Sequence, residues 1–139
     1  MAAIYQKIAV AVDFSEGSKR ALKQAIEMAK SFQSTLLIIN VVDTKSFGSV
    51  ASYDLKYAEE LKEKAREELN KMKLNAEQDG VANVEILVEE GAAKTILTNV
   101  EVDLMVCGAT GLNKIEKWLL GSVAERIVRY SKCDVLIVR

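Results

Sequence analysis

Short apolar runs separated by longer amphipathic segments define the organisation of the chain. Five runs rich in apolar and β-branched residues are typical of strands: residues 7–12, 35–43, 84–91, 102–108 and 134–139. The second, TLLIINVVD, is almost continuously apolar, as a parallel strand covered on both faces requires. The pattern therefore predicts five strands, of which the second is fully buried.

The segments between these runs carry apolar residues at every third or fourth position, the spacing of one helical face. The first stripe consists of Ala21, Leu22, Ala25, Ile26, Ala29 and Phe32, and the second consists of Leu55, Ala58, Leu61, Ala65, Leu69, Met72 and Ala76. Shorter helices are predicted over residues 92–100 and 122–131, whereas residues 44–54 are the least regular segment. Ser15 or Ser18 can cap the first helix, and Gly80 is placed to end the second.

Strands and helices alternate in the order βαβαβαβαβ, which predicts parallel βαβ units with right-handed crossovers. We therefore expect a single domain over residues 1–139 with a doubly wound α/β architecture. In such sheets, ligands bind beyond the carboxyl ends of the strands, where the strand order reverses. Asp13 follows the first strand and Gly108 ends the fourth, so both are predicted to lie at one binding mouth.

The charge balance argues against polyanionic partners. The 139 residues include 19 Lys and Arg against 20 Asp and Glu, a formal net charge of -1. Such a chain has no field that gathers nucleic acid or an anionic membrane surface, so neither is expected as a partner. No apolar run approaches the roughly 20 residues that span a bilayer, and the N-terminus lacks a signal-peptide pattern. These features predict a soluble cytoplasmic protein.

Histidine and proline are both absent from the chain. Without histidine, Ser-His and Cys-His catalysis and the usual zinc ligand are excluded, so any chemistry must use carboxylates, hydroxyls, lysines or a bound metal. The sequence assigns no catalytic residue. Cys107 and Cys133 are predicted to be reduced thiols in or near the core, and Cys107 is expected to be buried because it ends an apolar run.

The segment GATGLNKIEKWLLGS, residues 108–122, places three glycines and a serine between a predicted strand and a predicted helix. Free backbone N–H groups and a positive helix end bind phosphate, and glycine lets an anion approach the main chain. With no Cβ, Gly108 and Gly111 can adopt positive φ there. The spacing matches neither the GxGxxG fingerprint nor the Walker A pattern, and glycines that only serve turn geometry are the alternative.

Together with this segment, the chain resembles the universal stress protein family over essentially its whole length. The resemblance lies in VAVDFSEGSKRAL, IINVVD, VEEGAAKTIL, CDVLIVR and the spacing Gly-x2-Gly-x9-Gly-Ser. In that family the glycine motif separates members that bind ATP from members that do not. The resemblance therefore implies an ATP-binding protein with a three-layer α/β/α fold of the flavodoxin and adenine-nucleotide-hydrolase type, in which five parallel strands take the order 3-2-1-4-5.

The resemblance also implies roles for individual residues. Asp13 and Val41 would border the adenosine, and Gly108 and Gly111 would lie against ribose and phosphates. The remaining implied nucleotide-binding positions are Ala11, Val12, Gly121, Ser122, Val123 and Ala124. Gly121, Ser122 and Val123 would offer backbone N–H groups and Ser122 its hydroxyl, with Mg²⁺ or Mn²⁺ bridging phosphate oxygens. Nucleotide-binding relatives often carry proline at the position of Ala11, and many carry Thr or Ser at that of Ala124.

Two side chains near the mouth also have structural explanations. Asp13 can cap a turn or the next helix, and Ser15 is better explained as a helix cap than as a ligand.

Three functions fit the pattern. The leading hypothesis is a stress-response regulator whose state is switched by ATP binding. A slow Mg-dependent ATPase would use Asp13 to orient water, and a nucleotide-free dimeric module would keep the glycines for turn geometry. The resemblance implies a homodimer through the C-terminal strand, Asp134 to Arg139, and the protein partner is unidentified.

Overall fold

Strands and helices alternate along the chain as the hydrophobic pattern predicts. The structure, a computed structural model, describes residues 4–43, 51–110 and 120–139, and for residues 51–55 it describes the backbone alone. The elements are β1 (Lys7–Ala11), α1 (Glu16–Phe32), β2 (Thr35–Val42), α2 (Ala51–Asp79), β3 (Asn83–Glu90), α3 (Ala93–Thr98), β4 (Leu104–Gly108), α4 (Ser122–Tyr130) and β5 (Asp134–Val138). The irregular segment was predicted too long, because α2 already begins at Ala51; residues 44–50 lie outside the described part.

The five strands form one parallel sheet with the order β3-β2-β1-β4-β5, which confirms the predicted order 3-2-1-4-5. β1 lies in the middle, where Ile8 is opposite Leu36 of β2 on one side and Leu104 of β4 on the other. From β1 the chain passes through α1 to β2, towards one edge of the sheet, and from β4 it passes through α4 to β5, towards the opposite edge. The carboxyl ends of β1 and β4 therefore form the switch point, where such sheets bind ligands.

Helices cover both faces of the sheet. Successive side chains of a strand point to opposite faces, so each strand can contribute to two buried clusters. Ile8, Val10 and Ile38 belong to a buried cluster on the face covered by α1 and α2. Ala9 and Ile39 belong to a second cluster on the face covered by α3 and α4. Burial of one such isoleucine or valine side chain contributes about 1.5 to 3 kcal/mol. The two clusters confirm the doubly wound, three-layer α/β/α architecture.

The long helix α2 packs on β2 and β3 through a stripe in which Ala58, Ala65 and Leu69 are buried. Its opposite face is dense in lysine and glutamate, as a solvated face should be. One of these lysines also contacts the sheet, because Lys62 Nζ lies 3.4 Å from Oε2 of Glu90 at the end of β3. Within the described residues, no helix is long and apolar enough to cross a membrane.

The predicted end of α2 at Gly80 is confirmed. The N–H of Gly80 donates to the carbonyl of Glu77, and the N–H of Val81 donates to the carbonyl of Ala76, each at 3.1 Å. These two bonds form the Schellman pattern, which satisfies carbonyl groups that the helix leaves unpaired. Gly80 has a φ of +117°, a conformation that side-chain-bearing residues rarely adopt. The buried side chains of Ala76 and Val81 close the motif on the core.

Gly80→Ala should therefore lower the free energy of unfolding by about 1 to 2 kcal/mol, because alanine is strained at this positive φ. Urea denaturation followed by circular dichroism measures the loss. Gln78→Ala, an exposed change in the same helical turn, should stay within about 0.5 kcal/mol of the parent. Equal stability of the two variants would show that the conformation of Gly80 places no demand on the residue.

Candidate functional site

A pocket of about 590 Å³ lies at the switch point, beyond the carboxyl ends of β1, β2 and β4. Most residues that the sequence assigned to a site line it: Ala11, Val12, Asp13, Val41, Gly108, Gly121, Ser122, Val123 and Ala124. Gly111, the remaining one, lies outside the described residues. The fold thus brings positions from opposite ends of the sequence around one cavity.

The turn between β1 and α1 is held by hydrogen bonds between side chains and backbone. Oδ1 of Asp13 accepts from the N–H of Ser15 at 3.0 Å and also from the Ser15 hydroxyl. The N–H of Asp13 donates to Oγ of Ser18 at 3.3 Å. Oγ of Ser15 accepts from the N–H of Ser18 at 3.2 Å and so caps α1. The predicted capping role of Ser15 is confirmed, and Asp13 has the turn-forming role that was considered as its alternative.

The same turn contains a residue in an unfavourable backbone conformation. Phe14 has a φ of +67°, in the left-handed region that a bulky side chain enters at a cost of about 1 to 2 kcal/mol. Its ring packs against the core cluster beneath α1 and α2. Strain of this kind persists only where neighbouring contacts fix the conformation, and here the hydrogen bonds of Asp13, Ser15 and Ser18 do so.

Asn40 is a site residue that the sequence analysis missed. It lies within β2, is 6% exposed, and donates from Nδ2 to the carbonyl of Val12 at 2.7 Å. The Val12 N–H donates to the carbonyl of Ile39 at 2.9 Å, so both backbone groups of Val12 are held by β2. The available signal was the single amide in the otherwise apolar run TLLIINVV, since a buried polar side chain needs a partner.

Gly108 has a packing role that the sequence did not indicate. It does not adopt positive φ, because among the described glycines only Gly80 and Gly91 do so. Instead β4 passes so close to the start of α1 that a Cβ at Gly108 would lie 3.0 Å from the carbonyl carbon and oxygen of Gly17. A Cβ at Gly17 would in turn lie 2.9 Å from the carbonyl oxygen of Thr110. The two glycines allow this close packing, and Gly17 was not singled out from the sequence.

The first turn of α4 presents backbone N–H groups to the pocket. Gly121 is the N-cap residue, with φ -60° and ψ 156°, and no described side chain caps the helix. The first bond within the helix runs from the N–H of Glu125 to the carbonyl of Gly121. The N–H groups of Ser122, Val123 and Ala124 therefore have no acceptor inside the helix. The expectation for Gly121 needs correction, because its N–H already donates to the carbonyl of Ala109 at 2.7 Å.

Apolar side chains from both layers form the inner wall of the pocket. Ile39 and Val41 come from β2, Leu97 comes from α3, and Leu61 comes from α2. Cys107 of β4 completes this wall; it is a free, buried thiol, as predicted, and Cys133 is a free, half-buried thiol. Burial raises the pKa of Cys107 from 9.0 to about 12, so its sulfur is a neutral apolar surface rather than a nucleophile.

The comparisons with known proteins agree with this fold. A model of the universal stress protein family matches residues 4–139. The chain belongs to the universal stress protein family. A putative universal stress protein of Staphylococcus saprophyticus is 39% identical over 140 residues, 97% of this chain and 84% of the relative.

Solved structures of universal stress proteins share the architecture. The universal stress protein UspA from Lactobacillus plantarum is similar with a TM-score of 0.90 at 24% identity, over 97% of this chain and 98% of that one. A universal stress protein in complex with cAMP is similar with a TM-score of 0.65 at 31% identity, over 97% of each chain. The fold of this universal stress protein is thus one in which a relative holds a nucleotide.

Carboxylates supply the charge that this universal stress protein places at its pocket. Asp13 and Asp43 are the charged side chains among the described lining residues. Within the same described residues, no group of three or more Cys, Asp or Glu side chains is arranged to hold a metal ion.

Gly108→Ala should destabilise this universal stress protein by about 1 to 3 kcal/mol, because the added methyl group forces α1 away from β4. The same substitution at Gly121, whose φ of -60° suits any residue, should cost less than about 1 kcal/mol. Thermal and urea unfolding of both variants compare the two glycines. Equal losses would contradict the packing role of Gly108.

Proposed function

We propose that this universal stress protein binds an adenine nucleotide, ATP together with Mg²⁺ or Mn²⁺, in the pocket at the switch point. ATP would act there as a regulatory ligand. The observation that carries the proposal is the convergence of an apolar wall, a fixed carboxylate and a helix N-terminus that no described side chain caps, all around one cavity of about 590 Å³. Such a cavity is within the usual size range for small-molecule ligands.

The base and ribose would occupy the end of the pocket formed by β1 and β2. Val41 and Ile39 offer apolar surface for a purine ring, and Leu97 and Cys107 extend that surface towards α3 and β4. Asp13 lies at the polar margin of this wall, where its carboxylate would accept a hydrogen bond from a donor of the adenosine. An apolar wall with one fixed polar group is the usual composition of such sites.

The phosphates would lie at the first turn of α4. The N–H groups of Ser122, Val123 and Ala124 lack acceptors within the helix, and the helix dipole favours an anion at this end. Ser122 is exposed at the helix start and lines the pocket, so its hydroxyl would be a further donor. A divalent cation bridging the phosphate oxygens would offset the repulsion between a polyphosphate and the carboxylates of Asp13 and Asp43.

Two further observations support an adenine nucleotide. The relative solved with cAMP is 31% identical to this chain and aligned over 97% of it. The serine and glycine spacing at residues 108–122 resembles that of ATP-binding members of the family. Together they favour the nucleotide-binding hypothesis over a module that keeps its glycines for turn geometry alone.

The direct test is to denature the purified protein and identify released nucleotides by anion-exchange chromatography. We expect ATP, or, if the pocket is empty, a higher melting temperature after Mg-ATP is added. Saturation at about 100 times the Kd corresponds to a stabilisation of about 2.7 kcal/mol. Release of ADP after incubation with ATP would favour the slow ATPase. If no nucleotide is released and the melting temperature does not change, the proposal is contradicted and the nucleotide-free module is favoured.

Ala124→Ser should strengthen Mg-ATP binding by about tenfold, because it returns a hydroxyl to the first turn of α4 beside the proposed phosphates. Isothermal titration calorimetry with Mg-ATP measures the change. Ala82→Ser, at an exposed alanine before β3 and away from the lining residues, should leave the affinity unaltered. An Ala124→Ser variant that folds normally and binds like the parent would mean that phosphate does not lie next to residue 124.

We further propose a homodimer in which the C-terminal strand, Asp134 to Arg139, meets its counterpart. β5 is an edge strand that pairs with β4 alone among the described strands. The Ala109 N–H donates to the carbonyl of Val138, so the backbone groups of Val138 face β4. Successive residues of a strand direct their N–H and C=O groups to opposite sides, so those of Ile137 face the open edge. Next to β5, α4 exposes Val128 and Tyr130. An unpaired edge beside apolar side chains favours association with a second copy.

Ile137→Pro should convert the dimer to a monomer, because proline removes an N–H that faces the partner while an edge strand tolerates it otherwise. Size-exclusion chromatography with light scattering gives the mass of each variant. Ile137→Ala removes more of the side chain than proline does but keeps the N–H, and it should remain dimeric. A dimeric proline variant would place the interface away from this strand.

A further inference from the structure

The hydroxyl of Ser15 makes more hydrogen bonds than a helix cap requires. As the N-cap, Oγ accepts from the N–H of Ser18 at 3.2 Å. The same hydroxyl also donates a hydrogen bond to Oδ1 of Asp13. Ser15 is only 9% exposed, so water competes weakly for this hydrogen bond. One side chain therefore links the stability of α1 to the position of the Asp13 carboxylate.

Both donors that the described residues direct at this carboxylate converge on one oxygen. Oδ1 receives the hydroxyl and the N–H of Ser15. Within the described part of the chain, Oδ2 of Asp13 keeps its full capacity as an acceptor. Two bonds on one oxygen fix the rotation of the carboxylate, and a carboxylate fixed before binding loses little conformational freedom when a ligand arrives.

We propose that Ser15 is a positioning residue for nucleotide recognition, which orients the Asp13 carboxylate so that Oδ2 accepts a hydrogen bond from the adenosine. This inference rests on the proposed nucleotide-binding function. Ser15 itself contacts no ligand in this arrangement and is not among the residues that line the pocket. Ser15 would affect affinity only through Asp13, as residues that hydrogen-bond to a ligand-contacting side chain commonly do.

Three substitutions separate the two roles of the hydroxyl. Ser15→Thr keeps both the acceptor for the helix and the donor to Asp13. Ser15→Gly removes the hydroxyl, but glycine is a good N-cap residue, so the helix loses little stability. Ser15→Ala removes the hydroxyl and is a poor cap, so it lowers the melting temperature as well. Neither Gly nor Ala adds a charge that could repel phosphate.

The measurements are the Kd for Mg-ATP by calorimetry and the melting temperature of each ligand-free variant. We expect Ser15→Gly and Ser15→Ala to weaken binding equally, by about tenfold, although only Ser15→Ala melts clearly lower. Ser15→Thr should retain parental affinity. Ser34→Ala, which removes the hydroxyl donated to the carbonyl of Tyr5 at the other end of the sheet, should lower the melting temperature without changing the Kd.

A double-mutant cycle with Asp13→Ala shows whether Ser15 acts through Asp13. In that background Ser15→Gly should have no further effect on the Kd, because no carboxylate is left to orient. Binding that follows the melting temperature across the variants, or an unchanged Kd for Ser15→Gly, would overturn the positioning role while the nucleotide site stands. A parent protein that binds no Mg-ATP would instead overturn the proposed function, and the positioning role with it.

Discussion

The close contact between Gly17 and Gly108 is the constraint on which the pocket depends. It lets the start of α1 lie directly against the end of β4, at the place where the winding of the sheet reverses. Because backbone meets backbone there, neither residue has space for a side chain. The position of α1 then sets the turn that precedes it, and with that turn the place of Asp13. Packing in the core of the fold thus determines the geometry of the site.

The architecture could be predicted from the sequence because a doubly wound sheet leaves a strong record in it. Apolar runs such as TLLIINVV and the three- and four-residue spacing of α1 follow directly from burial on two faces and on one. The start of α2 was less predictable, since Gly48, Ser49 and Ser52, in or next to its first turn, are residues typical of a loop. Gly80 marked the other end because positive φ restricts the choice of residue.

The site was predictable in its membership and less so in its internal geometry. Sequence order and family resemblance indicated Asp13 and Ser122, but only coordinates show which N–H groups already have acceptors, as that of Gly121 does. Asn40 and Gly17 act through tertiary contacts with Val12 and Gly108, which no local spacing encodes. Residues that shape a pocket through contacts with its lining are therefore recognised only in the structure, whereas residues that directly follow the strands can be predicted from the sequence.

The buried thiol of Cys107 has a consequence for a protein of a stress-associated family. Peroxides and other oxidants attack the thiolate form of cysteine, and burial raises the pKa of this thiol to about 12. At neutral pH its sulfur is therefore almost entirely protonated and resists conversion to sulfenic acid or a mixed disulfide. The wall of the pocket therefore presents this sulfur in the protonated form, which oxidants attack least.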